Sequence, residues 1–208
     1  MKHKRSEDAI RFIKEKKNLL IVAAVIAVAV VMGMLSVNYL MEQKQSDAQK
    51  EFGEAILSSA GKDAVAEKLR DVSQNHKGSV YATYSLMLLG QHLLEGGEYA
   101  EAAIVLDEAL KSKQPSAFLT AQILELKATA LEFDGSLDDA LSAYDKALSV
   151  HNAGAYRKND VLLKSALLNT RMGQTDAAKK QFEEIVGDSS ASERILRIAK
   201  NELSILEF

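Results

Sequence analysis

Cysteine is absent from this chain of 208 residues, and proline occurs only once, at Pro115. Without cysteine the protein can form neither a disulfide nor a zinc–thiolate site, and it has no thiol nucleophile. Aromatic residues contribute only 6%, whereas alanine, leucine, glutamate and lysine recur throughout the chain. Because these recurring residues lose little rotamer freedom in a helix, we expect an all-α protein.

Patterns typical of catalysis are also missing. The four histidines, His3, His76, His92 and His151, have no metal-ligand spacing to one another or to carboxylates. The chain contains no G-x-S-x-G motif, no H-E-x-x-H motif and no phosphate-binding loop. We therefore expect a protein that is not an enzyme and that uses no cofactor, metal ion or small-molecule substrate.

One long stretch, residues 19–41, contains no charged residue. As a helix its 23 residues would extend roughly 34 Å, enough to cross a bilayer core of about 30 Å. Ala27-Val28-Ala29 has the A-x-A form of a signal-peptide cleavage site, yet the apolar residues continue beyond it. A retained transmembrane helix over residues 19–41 is favoured over a cleaved signal peptide.

The charges on the two sides of this stretch differ in sign. Residues 1–18 carry seven basic and three acidic side chains, whereas the rest of the chain carries 19 basic and 26 acidic ones. The basic excess predicts that the tail, residues 1–18, is cytoplasmic and that residues 42–208 lie on the other side of the membrane. An acidic domain without a basic stripe gives no reason to expect nucleic acid as a partner.

Small residues recur with a period of 38 in the acidic part of the chain. They are Gly90, Gly97, Ala102 and Ala109 in the first copy, Ala128, Gly135, Ala140 and Ala147 in the second, and Ala166, Gly173 and Ala178 in the third. Leu86, Leu89 and Leu93 form one stripe of a helix, and a second apolar stripe begins after Gly97. Each copy is therefore predicted to be a helix–turn–helix, with a left-handed glycine at the turn and small residues where the two helices meet.

These residues resemble the tetratricopeptide repeat, a helical hairpin of 34 residues. In the first copy the match is carried by Leu89, Gly90, Gly97, Tyr99 and Ala102. The second and third copies depart from the pattern at a few positions that are usually apolar. The period of 38 implies that longer helices or loops separate the units.

The resemblance implies a tetratricopeptide-like α-solenoid over residues 42–208, in which each hairpin contacts its neighbours. Its units would be a degenerate leading unit at 46–80, repeats at about 83–116, 121–154 and 159–188, and a capping helix at 190–206. Ser190 and Glu193 have the spacing of a capping box, which predicts that Ser190 begins this last helix.

The first helices of the units form the expected binding face of such a solenoid. The candidate groove residues are Tyr84, Met87, Gln91, Glu125, Leu163 and Leu167. Relatives that clamp the C-terminal carboxylate of chaperones use Lys, Asn and Arg on this face, and those residues are missing here. Met87, Leu163 and Leu167 instead favour an apolar groove for a helical or extended segment of another protein. A groove filled by the terminal helix of the chain is the alternative, and the sequence leaves both open.

The order of a basic tail, one membrane span and an acidic repeat domain resembles the bacterial YfgM family, as does the segment Gly78–Gly90, GSVYATYSLMLLG. The resemblance implies a single-pass protein of the inner (cytoplasmic) membrane whose repeats lie in the periplasm. It implies an ancillary subunit of the SecYEG translocon that also binds a PpiD-like periplasmic chaperone. Competing interpretations are an assembly factor for another envelope complex, in outer-membrane assembly or cell division, and a regulator of an envelope enzyme.

Overall fold

The computed structural model describes residues 30–36, 39–58, 61–112, 116–150 and 155–206, with only the backbone at positions 155 and 156. The chain divides into two compact units, Met1–Ser46 and Asp47–Phe208. The described residues form helices joined by turns and contain no strand, which confirms the expected all-α class.

In the first unit, residues 30–36 and 39–46 are helical. The predicted tail, residues 1–18, and most of the predicted span, residues 19–29 and 37–38, lie outside the described residues. Among the residues that are described, no helix is both long and apolar enough to cross a membrane.

The second unit consists of helical hairpins in the described part of the chain. Its helices are α1 (47–56), α2 (Lys62–Asn75), α3 (Val80–Gly96), α4 (Tyr99–Leu110), α5 (Ala117–Asp134), α6 (Leu137–Ser149), α7 (Ala155–Arg171), α8 (Thr175–Gly187) and α9 (Glu193–Leu206). From α2 onward each helix packs against the next one in the chain, and α3 also meets α5 while α7 meets α9. Contact between neighbours along the chain is the packing of a solenoid built from hairpins.

The hairpins turn at the three glycines of the 38-residue period. Gly97, Gly135 and Gly173 have φ angles of 81°, 88° and 72°, in the left-handed region that favours glycine. After each glycine the next residue donates its N–H to the carbonyl five residues earlier, at 2.9 Å, as in a Schellman motif; the pairs are Glu98 to Leu93, Ser136 to Leu131 and Gln174 to Asn169. The same local geometry therefore reverses the chain in each repeat.

The two helices of a hairpin meet at the small residues of the period. A Cβ atom on Gly90 would lie 2.6 Å from Cγ of Leu106, which is far inside van der Waals contact. The alanines of the period are fully buried or nearly so: Ala102, Ala109, Ala128, Ala140, Ala147, Ala166 and Ala178. A larger side chain at these positions would push the helices apart.

Serine caps fix where the helices of the first two repeats begin. Ser79 accepts the N–H of Ala82 at 3.0 Å, and Ser116 accepts that of Leu119 at 3.2 Å. Each bond satisfies a backbone donor that the first turn of a helix leaves without a partner. The starts of α3 and α5 are thereby set, and these two helices build the groove described below.

The prediction that Ser190 begins the last helix is wrong. Both the N–H and the hydroxyl of Ser190 donate to Oδ1 of Asp188, at 2.8 and 2.7 Å, so Ser190 belongs to the turn before the helix. The helix begins at Glu193, and the hydroxyl of Ser192 accepts the N–H of Ile195 at 3.4 Å.

Candidate partner-binding groove

A cavity of about 490 Å³ lies between α3 and α5, the first helices of two neighbouring repeats. The 38-residue period sets Met87 and Gln91 of α3 against Glu125 and Thr129 of α5, and all four line the cavity. On each helix these residues are four apart, so they share one face. We call this cavity, with the side chains around it, the α3–α5 groove.

Apolar side chains form a large part of the wall. They are Met87, Leu94, Tyr99, Leu126 and Phe133. The rings of Tyr99 and Phe133 stack with centroids 5.2 Å apart and an interplanar angle of 21°. Phe133 nevertheless remains 62% exposed, so the groove presents a large aromatic surface to solvent.

Glu125 is buried in the wall, with only 3% of its surface exposed. Its carboxylate accepts hydrogen bonds from Nε and Nη2 of Arg157, at 2.7 to 3.0 Å, and from Nζ of Lys164 at 2.7 Å. Bonds between ionised partners are the strong class of hydrogen bond, and they compensate for the loss of water around a buried charge. The network also links α5 to α7, since Arg157 and Lys164 belong to α7.

A second charged contact joins α5 to α7 one turn beyond Thr129. Glu132 pairs with Arg171 and also accepts a hydrogen bond from the hydroxyl of Tyr144 at 3.0 Å. Burial raises the pKa of Tyr144, so the hydroxyl keeps its proton and acts as the donor. Long charged side chains therefore connect α5 and α7, whereas α3 and α5 approach each other directly.

Glu95 lies on the exposed edge of the groove. Lys62 donates to it at 3.1 Å and Gln91 at 3.3 Å, and these bonds lower the pKa of the Glu95 carboxyl. The carboxyl is therefore ionised at neutral pH. Within the described ranges no group of three or more histidine, aspartate or glutamate side chains is arranged to hold a metal ion.

Three of the six predicted groove residues, Met87, Gln91 and Glu125, line the groove. Tyr84 does not line it. Its half-buried side chain packs on the cluster that contains Leu86, and its ring centroid lies 6.2 Å from that of Phe52.

The two predicted residues of the third repeat belong to the protein core. Leu163 is only 5% exposed and shares an apolar cluster with Phe182 and Ile195. Leu167 packs on the same cluster, as does Leu203 of α9. The expectation that Leu163 and Leu167 line an open apolar groove is therefore corrected, because helices α8 and α9 cover this face of the third repeat.

Several groove residues were missed by reasoning from the sequence. Tyr99 entered the sequence analysis only as part of the repeat match; it is the first residue of α4 and lines the groove. Phe133 could have been found, because it follows Glu125 and Thr129 at steps of four and stands 38 residues after Glu95. Arg157 carries no such signal, since it pairs with Glu125 across 32 residues and not across the period.

Solved structures with a similar fold include a tetratricopeptide repeat protein from Parabacteroides merdae, which is 20% identical with a TM-score of 0.56. The similarity covers 82% of this chain and 59% of that protein, so this chain spans less than two thirds of its length. The MamA RS-1 ArsTM double mutant is 14% identical, with a TM-score of 0.31 over 76% of this chain and 96% of that one. No curated protein matches the sequence significantly.

At this level of identity the likeness to the Parabacteroides protein shows the fold alone. Family membership follows from the sequence itself, since residues 11–118, just over half of the chain, match the family model of the tetratricopeptide repeat-like domain. The chain belongs to the tetratricopeptide repeat-like domain family.

Proposed function

We propose that this protein is a membrane-anchored scaffold that holds another protein in the α3–α5 groove. The observation that carries the proposal is the exposed aromatic surface of Phe133 in the wall of a cavity between first helices. Exposed apolar surface of this kind is typical of a site that a partner covers. The fold of the family is typically a non-enzymatic interaction domain, which supports binding as the task of the repeats.

The membrane anchor is supported by the first unit. Each large apolar side chain among residues 30–35 and 39–41 is between 49% and 63% exposed, so the described part of the predicted span offers an apolar surface. The hydroxyl of Ser36 donates to the carbonyl of Met32 at 2.8 Å. A polar group that is satisfied within its own helix is compatible with lipid, where water is not available as a partner.

The proposed topology follows from charge. The basic tail, residues 1–18, would lie in the cytoplasm and the repeats in the periplasm of a bacterium, with one span in the inner membrane. Residues 47–208 carry 18 basic and 25 acidic side chains, a net charge of −7. The family match begins at residue 11, before the predicted span. The matched region therefore includes the predicted anchor as well as the first repeat, which supports an anchor as part of this protein.

More specifically, we propose that the protein is an ancillary subunit of the SecYEG translocon, of the YfgM type, that links the exit of the channel to a PpiD-like chaperone. The support is the resemblance in the order of tail, span and acidic repeats. Assembly of another envelope complex and regulation of an envelope enzyme are the competing proposals. All three require the same groove to hold a protein segment.

Crosslinking in intact cells tests the proposal. A photoreactive amino acid at Gln91, which is exposed and lines the groove, should form crosslinks to a translocon subunit or to a periplasmic chaperone. The matched control is Ile104, which is 69% exposed on α4 and does not line the groove. Equal crosslinking from the two positions, or no crosslink from Gln91, would contradict binding in the groove. Crosslinks to an outer-membrane assembly factor would instead support the first competing proposal, assembly of another envelope complex.

A further inference from the structure

The two aromatic residues at one end of the α3–α5 groove each have an acidic neighbour in the chain. Glu98 precedes Tyr99 in the chain, and Asp134 follows Phe133. Both carboxylates are exposed, and neither forms an ion pair within the part of the chain that the structure describes. The hydroxyl of Ser136 donates to Oδ2 of Asp134 at 3.4 Å, a neutral donor that does not cancel the charge of this carboxylate. Each of the two stacked ring residues, Tyr99 and Phe133, therefore has a negatively charged neighbour in the chain.

Three other carboxylates, on α3, α4 and α5, have cationic partners. Glu95 pairs with Lys62, Glu101 with Arg70 and Glu132 with Arg171. These pairs are close to neutral, whereas Glu98 and Asp134 each add a negative charge next to a ring residue in the chain. The net charge of −7 on residues 47–208 adds a long-range field of the same sign.

The opposite end of the groove has the opposite sign. Arg157 and Lys164 share the single carboxylate of Glu125, which leaves one positive charge in excess. On α5, Glu125 and Phe133 are eight residues apart, or roughly 12 Å along the helix axis. The groove is therefore polarised, with an aromatic, acidic end and a basic end.

We propose that the groove binds a protein segment that places a lysine or arginine side chain against Phe133, near Glu98 and Asp134. A cation is attracted to the face of an aromatic ring, and this attraction grows where carboxylates add to it. The apolar residues of the same segment would contact Met87, Leu94 and Leu126 farther along the groove. This inference rests on the proposed function, in which the groove holds another protein, and it adds the chemistry of the partner.

Two synthetic peptides test the charge preference. Both are amphipathic helices with the same apolar face; the polar face of one carries lysine, and that of the other carries glutamate. The full chain in non-ionic detergent should bind the lysine peptide at least about tenfold more tightly, as measured by fluorescence anisotropy. The advantage should fall as salt is raised from about 50 mM to about 500 mM, because exposed charges are then screened.

Variants of the full chain test which residues cause the preference for the lysine peptide. Phe133→Ala should weaken the lysine peptide about fivefold or more, and Phe133→Tyr should retain its affinity because the aromatic face remains. Replacing Glu98 and Asp134 together by Gln and Asn should remove most of the preference for lysine. Glu108→Gln with Glu183→Gln changes the net charge equally at exposed positions outside the groove, and this control should keep the preference.

Tighter binding of the glutamate peptide would overturn the inference, because the excess charge of Arg157 and Lys164 would then select the partner. Equal affinities for both peptides, no binding of either, or a preference that the Glu98 and Asp134 changes leave intact would also overturn it. Crosslinks from Gln91 in cells decide separately whether the groove binds a protein. If Gln91 still forms crosslinks in cells while the peptide test fails, the proposed function stands and only the inference of a cationic partner is wrong.

Discussion

The second repeat and the third repeat present the same helix face to different surroundings. In the second repeat, Glu125 and Thr129 of α5 line the α3–α5 groove. The equivalent residues of the third repeat are Leu163 and Leu167 of α7, which belong to the cluster that α8 and α9 complete. A repeat period thus predicts which residues are equivalent, while the next helix in the stack decides what an equivalent residue contacts.

The polarity of the two faces agrees with this difference. Glu125, although buried, is charged and needs Arg157 and Lys164 as partners, whereas Leu163 needs only apolar contacts. A terminal repeat that is covered by a capping helix gains a continuous core, and a repeat inside the array can keep an accessible groove. The proposed binding and the capping are therefore divided between the two parts of the array.

The largest loss of stability is expected when the apolar residue at one repeat position is replaced by aspartate in the capped third repeat. The same replacement at the equivalent position of the groove should cost much less. Leu163→Asp buries an unpaired carboxylate among apolar side chains and should lower the free energy of unfolding by about 4 kcal/mol or more. Met87→Asp, at the equivalent position of the first repeat, should cost about 1 kcal/mol or less because Met87 is only half-buried in the groove wall. Denaturation by urea, followed by circular dichroism, measures both. Equal losses would show that Leu163 and Met87 have the same surroundings, which would contradict the difference between the open groove and the capped repeat.

A smaller effect is expected at the helix contact within a hairpin. Gly90→Ala adds a methyl group 2.6 Å from Cγ of Leu106, and we expect a loss of about 1 kcal/mol after the gain in helix propensity. Ala128 and Ala166, the equivalent residues, share their clusters with Tyr144 and Phe182, whose flat rings replace the branched Leu106. Thermal unfolding of the full chain measures the change.

A second background makes the Gly90 prediction specific. In a Leu106→Ala chain the clash is gone, so Gly90→Ala should raise the stability by about 0.5 to 1 kcal/mol through helix propensity alone. If Gly90→Ala has the same effect in both backgrounds, Leu106 is not the reason for glycine at this position.

The turns and the hairpin packing could be predicted from the sequence because their causes are local. Gly97 and its two equivalents follow from the left-handed turn that each hairpin needs, and the small residues follow from the contact within one hairpin. The period of 38 also identified Met87, Gln91 and Glu125 as groove residues.

The remaining part of the groove depends on contacts between units, which the period does not encode. Arg157 reaches Glu125 across a spacing of 32, and Leu163 is buried because α9 packs beside it. The helical start at Glu193 was missed because Asp188 takes up both donors of Ser190, a local competition that the capping-box spacing does not reveal.

The smallest effect is expected at the turn that holds the capping helix. Oδ2 of Asp188 accepts from the amide of Asn159 on α7 at 3.1 Å, and Oδ1 accepts from Ser190. The Ser190 hydroxyl and backbone N–H are the main causes that lower the pKa of Asp188 below its ordinary value of 3.8. Because the folded state lowers this pKa, the carboxylate stabilises the fold above pH 3.8, and its contribution is lost as the pH falls through the folded pKa.

Asp188→Asn should therefore lower the melting temperature slightly at neutral pH, by less than Gly90→Ala does, and the curves of variant and wild type should converge in acid. Ser190→Ala removes the largest cause and should show a weaker form of the same convergence. A gap between Asp188→Asn and the wild type that stays constant from neutral to acidic pH would show that the charge of Asp188 does not hold this turn.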